Sequence, residues 1–106
     1  ARINGGTTTA EGTKAINQVR ARAGASQLTS FSLNEILDEW SREFYFEGRR
    51  RTDLIRFDKF GGNNNYNWAW KSGVITGANF SKDMNLFPLP NTELNTNKNL
   101  KQNPGY

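Results

Sequence analysis

The sequence predicts a mainly α-helical fold with a helical hairpin, a short third helix and a long irregular C-terminal segment. Two observations support this fold class. Residues 1–60 carry apolar side chains at helical spacing together with helix-capping signals. Residues 61–106 show no sustained period and are rich in Asn, Gly and Pro. At 106 residues, the chain has room for at most one domain.

The first helix is predicted from Thr13 to Ala23. Thr8 and Glu11 have the spacing of a capping box, in which a threonine and a glutamate satisfy free backbone amides. Gly12 is a poor helix former, so the helix is expected to begin only after it, and Gly24 provides a stop. The apolar residues that share one face are Ala15, Ile16, Val19 and Ala23.

The second helix is predicted from Leu33 to Glu47, and its start is clearly marked. Ser32 and Glu35 have capping-box spacing, and Phe31 can pack on Ile36 as a hydrophobic staple. The apolar side chains fall within an arc of about 100°, which indicates a helix with one buried face. They are Leu33, Ile36, Leu37, Trp40 and Phe44.

The charges near the end of this helix predict a structural ion pair. On the helical wheel Glu43 flanks the apolar arc and Glu47 lies inside it. A buried carboxylate must be paired, because an isolated buried charge is very costly. Gly48 is expected to break the helix, and in the third predicted helix, residues 49–60, Arg50 lies on the apolar side. Arg50 is therefore the expected partner of Glu43 or Glu47.

The triplet Arg49–Arg51 has two other interpretations, a nucleic-acid patch and a ligand-facing role. The formal net charge of +4 hints at an acidic partner, but acids and bases are interleaved and five acids lie on the preceding helix. An internal structural role is therefore favoured for Arg50, and no nucleic-acid partner is expected. Arg49 and Arg51 are expected to point elsewhere, with Arg51 near Asp58.

The composition excludes several kinds of chemistry. The chain contains no cysteine and no histidine, which excludes disulfides, thiolate nucleophiles, histidine-based triads and the usual zinc sites. No cofactor or metal is expected. No apolar run approaches the roughly 18 residues of a membrane-spanning helix.

The second half is irregular but not disordered in composition. Short extended pieces are expected at "NYNWAW", "GVI" and "NLFPLP", and a brief helical turn at Asn91–Leu94. Many of its side chains require burial, and on the second helix Phe46 lies away from the main apolar arc. The chain is therefore expected to pack on residues outside this sequence. The apolar residues of the second half are Trp68, Trp70, Val74, Ile75, Phe80, Leu86, Phe87 and Leu89.

Three segments together form a specific sequence pattern: "EILDEWSREFYFEGRRRTDLIRFDKF", "WKSGV" and "NLFPLPNTELNTNKNLKQNPGY". They resemble the C-terminal end of SusD/RagB-type nutrient-binding lipoproteins, and the resemblance covers most of the chain, from about Lys14 onward. The last segment includes Pro88, Pro90, Glu93 and the highly specific terminal string Asn97–Tyr106. A departure is "RRRT", where the family often carries aromatic residues. The helical motif of the family is matched by Glu39, Glu43, Phe46, Glu47, Gly48, Arg50, Asp53, Leu54 and Arg56.

The resemblance implies a role in nutrient capture. It implies that residues 1–106 are the C-terminal fragment of one SusD-like domain, whose larger fold is α-helical with tetratricopeptide-like helix pairs. It further implies a lipid anchor on the absent N-terminal part and a location on the outer face of the outer membrane. Such a protein binds oligosaccharides or other nutrients without catalysis and passes them to a SusC-like TonB-dependent transporter. The missing N-terminal part is then a partner of this chain.

A candidate ligand site lies in "NNNYNWAWK". Tyr66, Trp68 and Trp70 alternate, so an extended strand would present all three rings on one face. Flat aromatic rings with nearby amides, here Asn63–Asn65 and Asn67, suit the recognition of sugars. The favoured alternative is that these rings fix the loop onto the missing body of the protein.

A glycan-active hydrolase is the competing function. Glycosidases use a pair of carboxylates, and Glu43 and Glu47 lie one helical turn apart. The expected arginine neighbour would lower the pKa of both groups and make either a poor acid. A non-catalytic role is therefore favoured.

Overall fold

The computed structural model describes residues 3–4, 7–62 and 66–106, and the fold of this part is mainly helical. This confirms the predicted fold class. Contacts divide the chain into two compact units, residues 1–50 and 51–106. The elements are β1 Ile3–Asn4, β2 Thr7–Thr8, α1 Ala10–Arg22, α2 Leu33–Glu43, α3 Arg50–Arg56, two 3₁₀ turns at Lys71–Gly73 and Lys82–Asn85, and α4 Asn91–Thr96. The two short strands pair antiparallel.

Helix α1 begins at Ala10, three residues before the predicted start. The N-cap is Thr9 and not Thr8, and its hydroxyl accepts a hydrogen bond of 3.2 Å from the amide of Gly12. Gly12 is tolerated because it lies in the first turn, where this bond satisfies an amide that has no partner within the helix. Gly24 ends the helix with a φ of 69°, as the sequence predicts.

Helix α2 confirms the predicted start but not the predicted end. Ser32 and Glu35 form both bonds of the capping box. The helix ends at Glu43, four residues early, because the chain enters the left-handed region at Phe46 (φ 64°) and Gly48 (φ 73°). This turn lets the side chain of Arg49 fold back onto Phe44 at the end of α2, as described below.

The core of the first unit is small and is reinforced by polar bonds. Its buried apolar side chains include Ile16, Phe31 and Leu37, the last with no exposed surface. The side-chain amide of Asn17 exchanges two hydrogen bonds of 2.8 Å with the backbone of Leu28. This bond pair attaches the loop between α1 and α2 to the middle of α1.

Glu39 joins α1 and α2 through two arginines. Its Oε2 accepts bonds of 2.7 Å from Arg20 of α1 and from Arg42 of α2. Burial alone raises the pKa of Glu39, but the hydrogen bonds and charges of the two arginines outweigh burial, and the pKa is lowered. Helical spacing alone did not identify this ion pair, because Arg20 comes from a different helix.

We expect Glu39 to make the stability depend on acid pH. Because its pKa is lower in the folded protein than in the unfolded chain, its contribution is present above the ordinary carboxyl pKa of about 4.3. This contribution is lost as the pH falls through the lowered pKa. Urea unfolding between pH 7 and pH 3 should therefore show a smaller loss of stability for Glu39→Gln than for wild type. Parallel pH profiles would contradict this role.

Helix α3 is shorter than the predicted span of residues 49–60 because a left-handed residue ends it. Asp58 has a φ of 54°, and the amides of Asp58 and Lys59 bond to the carbonyl groups of Ile55 (3.0 Å) and Leu54 (2.7 Å). This is the Schellman arrangement, here with aspartate in the position that glycine usually takes. The buried face of α3 carries Leu54 and Asp53.

The C-terminal residues are held by side chains that bond to backbone carbonyl groups. Gln102 bonds to both the amide and the carbonyl of Leu89, at 2.8 and 2.9 Å. Asn103 donates to the carbonyl of Phe87 at 2.7 Å. Helix α4, between these partners, confirms the helical turn that the sequence predicts at Asn91–Leu94. The terminal motif therefore fixes the extended segment that precedes α4.

Candidate functional site: the arginine triplet and the aromatic loop

The three consecutive arginines reach three different partners inside the chain. The guanidinium carbon of Arg49 lies 4.2 Å from the ring centroid of Phe44. Nη1 of Arg50 donates to the carbonyl oxygen of Leu37 at 2.8 Å. Arg51 contacts later residues of its own unit and is described below. At least one contact of each arginine is thus internal, which argues against a patch devoted to a charged partner.

The predicted structural ion pair of Arg50 with Glu43 or Glu47 stays a prediction. Because α2 ends at Glu43, Glu47 lies beyond the helix and is exposed. Glu43 is paired with Arg22 of α1. One partner of Arg50 is the backbone carbonyl of Leu37 at the middle of α2, which is consistent with an internal role for this side chain.

Arg51 connects α3 to the segment before α4. Its Nη2 donates to the carbonyl oxygens of Met84 (2.7 Å) and Leu86 (3.3 Å). Its guanidinium carbon lies 3.8 Å from the ring centroid of Phe87. The sequence predicts Arg51 near Asp58, which stays a prediction. The bonded partners of its side chain are carbonyl groups more than 30 residues later in the chain.

The aromatic loop, residues 66–80, is closed at its base. Gly61 and Phe80 form a parallel bridge, and the amide of Gly62 donates to the carbonyl of Phe80 at 2.9 Å. The amide of Gly61 also donates to the side-chain oxygen of Asn85 at 2.9 Å. These bonds hold the last residue of the loop against Gly61 and Gly62, which precede it, and so give the loop a fixed base.

The three candidate rings do not line one strand face. Tyr66 and Trp68 contact edge to face, with centroids 6.3 Å apart. Trp70 has a φ of 67° and lies at a turn, so the predicted alternation ends before it. Asn67 is exposed, and Asn63–Asn65 lie outside the described residues. The structure therefore divides the candidates into a packed pair and a separate indole.

Lys71 is a residue of this loop that the sequence pattern did not reveal. It is 1% exposed, and its Nζ donates to the carbonyl oxygen of Tyr66 at 3.0 Å. Nζ also lies 4.8 Å from the ring centroid of Trp68 and 5.4 Å from that of Phe80. Burial lowers the pKa of Lys71. Its burial could not be predicted, because the turn that contains it is seen only in the structure.

Trp70 is presented outward by a constrained backbone. It is 65% exposed, and Ser72 on the other side of Lys71 is also left-handed, with a φ of 60°. Left-handed non-glycine residues persist only where the surrounding structure holds them, and they concentrate at functional sites. The neighbouring Val74 and Ile75 are exposed as well. The loop thus exposes three large apolar side chains, one of them an indole.

The paired carboxylates of the competing hydrolase hypothesis are not arranged as a pair on one helix. Glu43 is the last residue of α2 and is engaged by the guanidinium of Arg22. Glu47 is exposed in the turn that follows. A glycosidase needs two carboxyl groups facing the same glycosidic bond, one of them able to donate a proton. This geometry provides no support for such a site.

Within the described residues, no group of three or more acidic side chains is placed to hold a metal ion. The described helices are also too short and too polar for any of them to span a bilayer. The described part of the chain therefore offers neither a metal centre nor a membrane-spanning helix of its own.

Comparison with known proteins places the chain in a family. A sequence model of the SusD family matches residues 1–106. The chain is 44% identical over 92 residues to the starch-binding protein SusD of Bacteroides thetaiotaomicron. This alignment covers 86% of this chain and 16% of that protein.

A solved structure shows the same fold. A crystal structure of a SusD superfamily protein from Parabacteroides distasonis matches 94% of this chain and 22% of that chain. The TM-score is 0.58 at 22% sequence identity. The chain thus spans less than a quarter of the length of either relative, and it belongs to the SusD family.

Proposed function

We propose that this chain is part of a non-catalytic protein that binds oligosaccharides at the surface of the outer membrane. The observation that carries the proposal is the 44% identity to a starch-binding protein over 86% of the chain. Delivery of the bound sugar to a TonB-dependent transporter is part of the same proposal. Because the chain corresponds to 16% of that relative, these activities belong to the full-length protein.

Within the chain, we assign different roles to the two tryptophans of the aromatic loop. Trp68 is in contact with Tyr66 and with the ammonium group of Lys71, so its role is to hold the loop together. Trp70 is 65% exposed and has no ring contact among the described residues. Its flat indole face suits the apolar C–H face of a sugar ring. Trp70 is therefore the proposed ligand contact.

The two tryptophans form a matched pair of test variants. In the full-length protein, Trp70→Ala should weaken binding of maltoheptaose, a soluble starch fragment, by about tenfold without changing the melting temperature. Trp68→Ala should lower the melting temperature because it removes an edge-to-face contact and a cation–π contact. Calorimetric titration and thermal unfolding on the same samples measure both effects.

Three outcomes would contradict parts of the proposal. A loss of stability in Trp70→Ala, with unchanged affinity of the folded molecules, would assign Trp70 to packing on the rest of the protein. Failure of wild type to bind any soluble glycan would contradict the proposed function. New reducing ends after incubation with starch would identify a hydrolase.

A further inference from the structure

Lys71 occupies an unusual place for a lysine. Its side chain is among the most deeply buried in the described part of the chain, at 1% exposure. Among the described residues, no carboxylate forms an ion pair with it. The ammonium group is compensated by the carbonyl oxygen of Tyr66 and by the π faces of Trp68 and Phe80.

This arrangement is a poor source of stability. An ammonium group loses its hydration on burial, and one carbonyl bond uses only one of its three donors. An apolar side chain of similar length would fill the same space without this cost. Replacement of buried charges by well-packed apolar residues is often neutral or stabilising.

The same arrangement is well suited to fixing geometry. The ammonium group contacts the loop near its start, at Tyr66 and Trp68, and at its last residue, Phe80. The backbone of Lys71 adds to this, because its carbonyl accepts a bond of 3.0 Å from the amide of Ala78. The buried side chain of Lys71 is flanked in sequence by two left-handed residues, Trp70 and Ser72. Of these, Trp70 is exposed.

We propose that Lys71 is a positioning residue of the carbohydrate-binding loop. Its ammonium group holds the Tyr66 backbone and the Trp68 ring, and its burial fixes the turn that directs Trp70 outward. Lys71 does not touch the sugar. This inference rests on the proposed function, since it concerns the surface that meets the oligosaccharide.

The test compares three variants of the full-length protein. Lys71→Met keeps the length of the side chain but removes its charge and donors. Lys71→Arg keeps a cation and donors in a larger group. Lys82→Met removes an exposed lysine from the neighbouring 3₁₀ turn and serves as the control. For each, three quantities are measured: affinity for maltoheptaose, melting temperature, and the rate of chymotrypsin cleavage after Tyr66, Trp68 and Trp70.

We expect Lys71→Met to bind maltoheptaose about tenfold more weakly than wild type, with a melting temperature equal to or above that of wild type. Cleavage in the loop should be several-fold faster, because local opening no longer breaks the ammonium contacts. Lys71→Arg should recover part of the affinity, and Lys82→Met should match wild type in all three measurements.

The outcomes separate this inference from the proposed function. Unchanged loop cleavage in Lys71→Met would overturn the positioning role, whatever the affinity. Faster cleavage with wild-type affinity would overturn the link between loop order and binding. A fall in affinity matched by a fall in melting temperature would show that Lys71 only supports the fold. If wild type binds no glycan, the proposed function fails, and the inference fails with it.

Discussion

Gly77→Ala should destabilise the protein by at least about 3 kcal/mol, because two independent costs add at this position. Gly77 has a φ of 76°, in the region that L side chains rarely adopt. A Cβ at this position would also lie 2.3 Å from the carbonyl oxygen of Trp68. The chain would have to shift there, and the aromatic loop would lose its shape. Urea unfolding of the purified protein measures the effect.

Gly73→Ala is the matched control for Gly77→Ala. Gly73 lies in the same loop with a φ of 74°, but nothing stands within 4 Å of the position of its Cβ. This variant has the backbone cost without the clash and should lose only about 1–2 kcal/mol. The difference between the two variants isolates the close approach of Trp68. Equal losses would show that the approach is not a constraint.

The second large effect is expected at Arg51. Arg51→Met removes charged hydrogen bonds to Met84 and Leu86 and the contacts of the guanidinium with the rings of Phe60 and Phe87. Together these losses should cost about 3 kcal/mol. Arg51→Lys should recover little of this, because an ammonium group cannot stack on a ring and bond two carbonyl groups in the same fixed geometry.

Arg49→Met tests whether position in the triplet matters. Arg49 also lies over aromatic rings, but the residue is exposed, so its loss should cost about 1 kcal/mol or less. Chemical denaturation of the three variants under identical conditions provides the comparison. Similar losses for Arg49→Met and Arg51→Met would contradict the distinct roles that the structure gives them.

The helices were predictable because their signals are local. The capping box of Ser32 and Glu35 and the apolar period that follows lie within a few residues of one another, and α2 begins where they indicate. The end of α2 was not predictable in this way. It depends on the turn at Phe46 and on the return of Arg49 to the ring of Phe44, which no capping or periodicity signal marks.

The internal use of the arginines could be predicted, but their partners could not. The acidic helix before the triplet argued against a nucleic-acid patch. The described acceptors of Arg50 and Arg51 are backbone carbonyl groups, which every residue carries. No sequence pattern distinguishes one carbonyl from another, so these bonds could not be predicted from the sequence.

In the aromatic loop, alternation predicted a strand where the structure has a turn. The period of Tyr66, Trp68 and Trp70 is that of a strand, and the sequence contains no strong signal that Trp70 takes a positive φ. The glycines at 73 and 77 mark a turn region but do not place it. The buried state of Lys71 decides the local path, and lysine is the residue type for which burial is least expected.

The few buried apolar side chains of the described chain have a thermal consequence. Ile16, Phe31, Leu37 and Leu54 form the buried apolar set, and much of the remaining cohesion comes from side chains that bond to carbonyl groups. The heat capacity of unfolding rises with newly exposed apolar surface and falls with newly exposed polar surface. A chain with little buried apolar surface has a small positive contribution, and the polar contribution offsets a larger share of it than in a protein with a large apolar core. The curve of its unfolding free energy against temperature is then broad and shallow. Moderate warming or cooling therefore changes the folded fraction less than it would in a protein with a large apolar core.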